Sequence, residues 1–144
     1  MVQAFQSNRI IIDTGIIIAL ADQGDAWHQR SFNFICDYNG KVIAPSTIIP
    51  EACYMLQTYL GQSAEMAFLE SVIHREISVE TVTVEDLGRS LEILKDYSDL
   101  NIGLVDASIV ALAERLGISQ IITTDRRHFS VIRTKRGAPF ELLP

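Results

Sequence analysis

Cysteine is nearly absent from this 144-residue chain, which carries only Cys36 and Cys53. Two cysteines make no disulfide framework, and neither has a partner at metal-finger spacing. Both fall in segments read as helical, where buried, reduced thiols are expected. Long apolar runs are missing too. The longest, Ile16 to Ala21, is far short of the roughly twenty residues that a bilayer-spanning helix needs. Met1 to Asn8 lacks the basic-then-apolar plan of a signal peptide, so the chain reads as cytoplasmic, with no membrane partner. There is no Walker-type or dinucleotide glycine loop, and no serine or cysteine stands in a nucleophile-elbow context. Repeats, low-complexity tracts and linkers are absent, and the length suits one domain spanning 1–144.

Positive charge is also scarce. The formal net charge is −6, so no global basic field advertises nucleic-acid binding. The cations are unevenly placed, however: of twelve Lys and Arg residues, Arg126, Arg127, Arg133, Lys135 and Arg136 crowd into one short stretch after Asp125. Such a run is either a solvated loop or a grip on a phosphate backbone beside an acidic pocket.

What the chain does have is a globular balance, 48% apolar and 21% charged, arranged as alternating strands and helices. That alternation argues for a parallel sheet with crossover helices. Arg9–Ile12 reads as a strand buried on both faces, followed by a short helix over 14–21. Asp25 is expected to cap a second helix reaching about Tyr38. Further strands are predicted at 41–44, 77–82 and 121–122, with a short fifth at the sheet edge over 140–143. Pro45-Ser46-Thr47 opens a helix ending near Leu60, with Gly61 in a left-handed cap, and Ser63 starts another. Val84 to Tyr97 shows Leu87, Leu91 and Leu94 at helical spacing. Leu104 to Leu116 is apolar nearly all round, as in a helix packed inside, and Gly117 stops it.

Four carboxylates fall where strands end or helices begin: Asp13, Glu51, Asp106 and Asp125. If the strands before Asp13 and Asp125 are parallel neighbours, both acids enter the crevice at the strands' carboxyl ends, where open α/β sheets bind ligands. Four acids with few balancing cations repel one another unless a divalent ion neutralises them, and hard metals on carboxylates usually serve phosphate chemistry. Each acid also has a plainer explanation. Asp13 suits an N-cap, Glu51 gains from the helix dipole, and Asp125 suits a turn. Asp106 is harder to explain away, because its apolar helix offers no cation before Arg115 and an unpaired buried carboxylate costs several kcal/mol. The Thr14 hydroxyl is expected to orient Asp13, and Thr14, Arg126 and Arg127 are the residues expected to touch substrate. Asp99 is a possible accessory ligand and His128 a possible substrate contact. Glu65, Glu70, Glu85, Asp86, Glu92 and Asp96 read as exposed helix faces.

Taken together, Ile11-Ile12-Asp13-Thr14, Glu51, Leu104-Val105-Asp106-Ala107-Ser108 and Thr123-Thr124-Asp125-Arg126-Arg127-His128-Phe129 resemble the PIN-domain family. The likeness is greatest to the small VapC-type ribonuclease toxins and runs over residues 9 to about 143. It implies a three-layer α/β/α sandwich around a parallel sheet of four to five strands. It implies Mg²⁺- or Mn²⁺-dependent hydrolysis of RNA, with Asp13 and Asp106 as principal metal ligands. Glu51 and Asp125 would complete the pocket, and Thr123 would support it by hydrogen bonding. A toxin of this kind implies a homodimer and a separate antitoxin chain, with Ile16, Ile17, Leu20 and Trp27 either forming a groove for it or packing in the core. A receiver-like phosphoacceptor would need an acidic pair after the first strand, where Ile11-Ile12 stand. An Asp-x-Asp phosphatase fails because residue 15 is Gly. Two alternatives remain: a catalytically inactive PIN-like module that binds RNA or protein, and a DNA nuclease of the same fold.

Overall fold

In a computed structural model of the chain, which describes residues 8–144, five parallel strands form one sheet in the order β3-β2-β1-β4-β5. They are β1 (Arg9–Ile12), β2 (Lys41–Pro45), β3 (Ser78–Glu80), β4 (Gln120–Ile122) and β5 (Glu141–Leu143). The registers Ile12↔Ile122 and Ile122↔Leu143 bring the carboxyl ends of β1, β4 and β5 level. The expected signal-peptide-free segment at the N-terminus lies almost wholly outside the described residues.

Strand side chains alternate between faces, and two cores result. Ile11, Ile43 and Ile121 point into one, against α5 (Val84–Asp96) and α6 (Leu104–Leu116). Ile10, Ile12, Ala44 and Ile122 point into the other, against α1 (Thr14–Ala21), α3 (Ile48–Leu60) and α4 (Gln62–Ile73). This is the expected sandwich, and the run of isoleucines in β1 follows from burial on both sides. α2 (His28–Asp37) packs outside α1, and a four-residue α7 (Arg126–Phe129) follows β4.

Several details depart from the sequence expectations, each for a local reason. Asp25 does not cap α2: its Oδ1 accepts from the Trp27 N–H at 2.8 Å, closing an Asx turn one step before the helix. Gly61 is the C-cap of α3 with φ 95° and ψ 171°, a positive-φ conformation that favours glycine but lies outside the left-handed helical region, and it serves as the corner between α3 and α4. β3 is only Ser78–Glu80, since the chain leaves the sheet edge for the Thr83 cap of α5. Leu87 and Leu91 are exposed, and α5 instead buries Asp86, Ser90 and Ile93. Asp86 is therefore no surface acid: it takes the Arg115 guanidinium at 3.0 Å and caps its own helix with Thr83. Both cysteines are free: Cys36 is exposed because α2 is an outer helix, and Cys53 is half-buried on α3. In α6 the stretch Ala107–Ala113 is buried as expected, while Leu104 at its tip is exposed. The first part of the basic run is helical, with Phe129 anchoring α7 in the core.

Candidate active site

Asp13 leaves β1 at the sheet's carboxyl edge, its N–H still paired with the Ile122 carbonyl at 3.0 Å. It is 6% exposed, and its two oxygens are held separately. The Thr14 N–H reaches Oδ1 at 2.8 Å, and the Thr123 hydroxyl donates to Oδ2 at 2.7 Å. Asp13 is thus the N-cap of α1. Thr123 is fully buried and is itself aligned by the Asp125 N–H, 2.9 Å from its Oγ1.

The orienting hydroxyl differs from the one expected. Thr14 does not hold Asp13 through its side chain; its hydroxyl donates to Glu51 Oε2 at 2.5 Å. It faces Glu51 because it begins α1, which packs against α3, and Glu51 lies in the first turn of α3. A second hydroxyl pair, Thr47 with Ser108 at 2.7 Å, ties the residue before α3 to the second turn of α6. That tie sets Glu51 and Asp106 relative to each other. Asp106 is half-buried at the third position of α6, with a long 3.4 Å contact back to the Gly103 N–H.

Asp125 caps α7 through a 3.1 Å bond from the His128 N–H to its Oδ1. The His128 Nδ1 also lies 2.8 Å from Asp125 Oδ2, off the line a good hydrogen bond requires, so that contact is chiefly electrostatic when the ring is protonated. The sequence pointed to His128 only by its nearness to Asp125; a capping helix one turn long is what folds the two together. Asp99 lies exposed in a short 3₁₀ turn before α6.

The acids feel one another. Burial, then the charges of Asp106 and Asp125, push Asp13 from 3.8 up to about 6, against the opposing bonds from Thr123 and Thr14. Burial likewise raises Asp106, with Asp125 and Glu51 adding to the rise while the Gly103 N–H and His128 oppose it. Asp13, Glu51, Asp106 and Asp125 thus lie within electrostatic reach of one another. As they stand, no three His, Cys, Asp or Glu side chains among the described residues converge closely enough to chelate an ion. All four acids are instead engaged by threonine hydroxyls or main-chain N–H groups, Asp106 at the longest distance. The donor set still fits a hard cation, being oxygen throughout and short of positive charge in the two acids whose ionisation is suppressed.

Gly15 keeps the two strand-end motifs together. A Cβ there would fall on the Thr124 hydroxyl oxygen, nearer than any real Cβ contact. Glycine lets the start of α1 lie directly against the loop that carries Thr123 and Asp125. Arg126 and Arg127 are both exposed, but they part company: Arg126 turns to Trp27 and the main-chain oxygen of Pro144.

Fold and site together define a parallel-sheet α/β protein with carboxylates placed at its strand ends and in the first turns of its helices. The PIN domain model matches residues 10–135, and the chain belongs to that family. It is 29% identical to Ribonuclease VapC26 of Mycobacterium tuberculosis over 135 residues, covering 94% of this chain and 100% of that protein. The crystal structure of M. tuberculosis VapC20, described as a Sarcin-Ricin loop cleaving toxin, superposes with a TM-score of 0.77 at 23% identity. That match covers 82% of this chain and 91% of VapC20. DNA-bound VapBC from Salmonella typhimurium matches with a TM-score of 0.66 at 18% identity, over 93% of this chain and 97% of that one.

Proposed function

We propose that this chain is a metal-dependent endoribonuclease, the toxin of a toxin–antitoxin pair, with Mg²⁺ or Mn²⁺ as its cofactor. The observation that carries the reading is the placement of the four acids: Asp13 and Asp125 follow the neighbouring strands β1 and β4, and Glu51 and Asp106 stand in the first turns of α3 and α6. Family membership and the likeness to Ribonuclease VapC26 support it.

Asp13 and Asp106 would hold the ion, with Glu51 and Asp125 completing the pocket. A bound divalent ion supplies Lewis-acid activation of water and offsets charge on the phosphate. The chain's own residues do the rest by position. Thr123 fixes the carboxylate plane of Asp13, Thr14 fixes Glu51, and the α7 cap fixes Asp125. A ligand oriented by a second hydrogen bond is both better placed and more basic. No protein nucleophile is required, in keeping with the absence of an activated serine or cysteine.

A homodimer and an antitoxin chain complete the proposal. Support for contacts of this kind comes from exposed apolar side chains on α3, α4 and α5, among them Tyr54, Tyr59, Ile73 and Val84. A groove of about 370 Å³ is lined by Ile17 and Leu20 with Ile35, Ala64 and Phe68. Ile16 is wholly core, and Trp27 sits with the arginines instead. No helix among the described residues is long and apolar enough to cross a membrane.

The test is cleavage of a mixed structured RNA pool by purified protein with Mg²⁺, Mn²⁺ or chelator, alongside Asp106→Asn. Cutting that needs metal and vanishes in the variant is expected. Cutting that survives either chelation or the substitution would remove this pocket from the reaction, and no cutting at all would favour a binding module.

A further inference from the structure

Three side chains from two distant segments form a compact cationic cluster beside the acidic pocket. The Arg30 guanidinium lies 4.7 Å from the centre of the Trp27 ring, and that of Arg126 lies 5.8 Å from the same ring. Both guanidiniums also donate to the main-chain oxygen of Pro144, Arg30 at 2.9 Å. Two like charges are thus gathered on one indole and one oxygen, and among the described residues neither has a carboxylate side chain as ion-pair partner. Each guanidinium has five N–H donors in a planar fork, and Pro144 engages only part of that capacity. Both arginines are exposed.

The sheet register sets the cluster's distance from the acids. Ile12 pairs with Ile122 and Ile122 with Leu143, so the next residues, Asp13, Thr123 and Pro144, stand in a row across three adjacent strands. Main-chain bonds from the Asp13 N–H to Ile122 and the Thr123 N–H to Leu143 continue that row. With neighbouring strands about 4.8 Å apart, Pro144 is about 10 Å from Asp13. Arg126 closes the remaining gap, since it directly follows Asp125.

From this geometry we propose that Trp27, Arg30 and Arg126 form a preassembled clamp for a phosphate of the RNA backbone adjoining the one cleaved. The proposal rests on the nuclease reading above and adds to it where the chain of the substrate runs: past the carboxyl end of β5, toward α2. The indole holds the two cations close by cation–π attraction, offsetting their repulsion before a phosphate arrives. Guanidinium forks then match the phosphate oxygens in pairs. Arg127, on the same basic run, is outside the clamp.

The experiment measures binding of a labelled single-stranded RNA to the full chain carrying Asp106→Asn, by fluorescence anisotropy over a salt series. Arg30→Ala and Arg126→Ala are each expected to weaken binding roughly tenfold and to flatten the log–log salt slope by about 0.7 for each phosphate that is no longer neutralised. Arg→Lys at either position restores the slope but only part of the affinity, because a lysine has no fork. Trp27→Phe keeps most of the affinity and Trp27→Ala does not. In the cleaving protein the same arginine variants raise KM with little change in kcat. A merely structural staple between α2 and the end of β5 would lower the melting temperature while leaving the salt slope alone, and that result overturns the clamp. If the unsubstituted protein cuts RNA while all arginine variants keep its affinity and slope, the clamp alone falls. If it neither binds nor cuts RNA, the nuclease reading falls with it.

Discussion

The Thr123 hydroxyl donates to Asp13 Oδ2 across 2.7 Å, and the two residues reach each other from neighbouring strands, 110 positions apart in sequence. Thr123→Val replaces that hydroxyl with a methyl of similar size. The Asp13 carboxylate then loses the bond that most favours its charged form, and the Asp125 N–H loses its acceptor. Loss of such an orienting partner typically costs 10–100-fold in metal affinity or activity, so a fall of about that size in cleavage rate is expected. Stability should drop by about 1–3 kcal/mol, the usual cost of leaving a buried polar group unpaired. Thr123→Ser should recover most of both. Metal titration and chemical denaturation of the pair would decide it, and Val behaving like Ser would sink the role given to this hydroxyl.

Asp13 makes a second expectation about pH. Its carboxyl is raised from 3.8 to about 6 in the fold. A carboxyl raised in this way favours folding fully below 3.8, where it is protonated in both states, and that benefit fades as pH climbs from 3.8 through about 6. The gap is worth on the order of 3 kcal/mol. In chelator the protein should therefore melt at lower temperature at pH 7.5 than at pH 5, and Asp13→Asn should remove much of that difference. Mn²⁺ should raise the melting temperature more at pH 7.5 than at pH 5, since ligands must lose protons to bind it. A metal-induced rise of equal size at both pH values would argue against Asp13 as a ligand.

Asp86 has the opposite sign. Its burial pushes the carboxyl up, but hydrogen bonds from Arg115 and Thr83 and the Arg115 charge outweigh that, leaving it below the ordinary carboxylate value. The stability it contributes is present above 3.8 and is lost as pH falls through the lowered value. Arg115→Ala strands the buried carboxylate with only Thr83 for company. Because the Arg115 side chain is 36% exposed, solvent screens part of the pair, and about 1–3 kcal/mol of lost stability is expected rather than the full cost of a buried charge. RNA cleavage per folded molecule should be unchanged, because this pair lies apart from the acidic pocket.

The outline of the fold could be read directly because its signals are local. Arg9–Ile12 is isoleucine after its first residue, and a strand buried on two faces demands that. Gly117 ends α6 in the left-handed conformation where the periodic run stops. Asp13 and Asp106 stand out for the same reason, each being an acid set against an apolar run, and Asp125 because it follows the apolar strand at 121–122 after two threonines. What failed was pairing through space. Nothing in a linear reading says that the Thr14 hydroxyl goes to Glu51 while Thr123 takes Asp13, since each threonine lies within two residues of a different acid. Leu87 and Leu91 had helical spacing but the wrong face, because Asp86 is drawn inward by Arg115, which lies on a different helix. The Trp27 cluster was hidden likewise, its members separated by most of the chain and joined only at the end of β5.

Gly15 provides the most stringent check on how the two strand-end motifs meet. A methyl at this position collides with the Thr124 hydroxyl, so Gly15→Ala forces either Thr124 to rotate or α1 to move off the loop. Overpacking of this kind costs about 1–3 kcal/mol. Movement of α1 carries Thr14 away from Glu51 and disturbs the Thr14 N–H bond to Asp13, so activity should fall further than stability alone accounts for. Thr124→Ala removes the colliding oxygen. In the double variant Gly15→Ala/Thr124→Ala, stability and cleavage should both return toward the Thr124→Ala level, giving a favourable coupling of the size seen between touching residues, about 0.5–3 kcal/mol. Additive losses in that cycle would mean the glycine matters for some reason other than this contact, and the close apposition of the Asp13 and Asp125 motifs would need another cause.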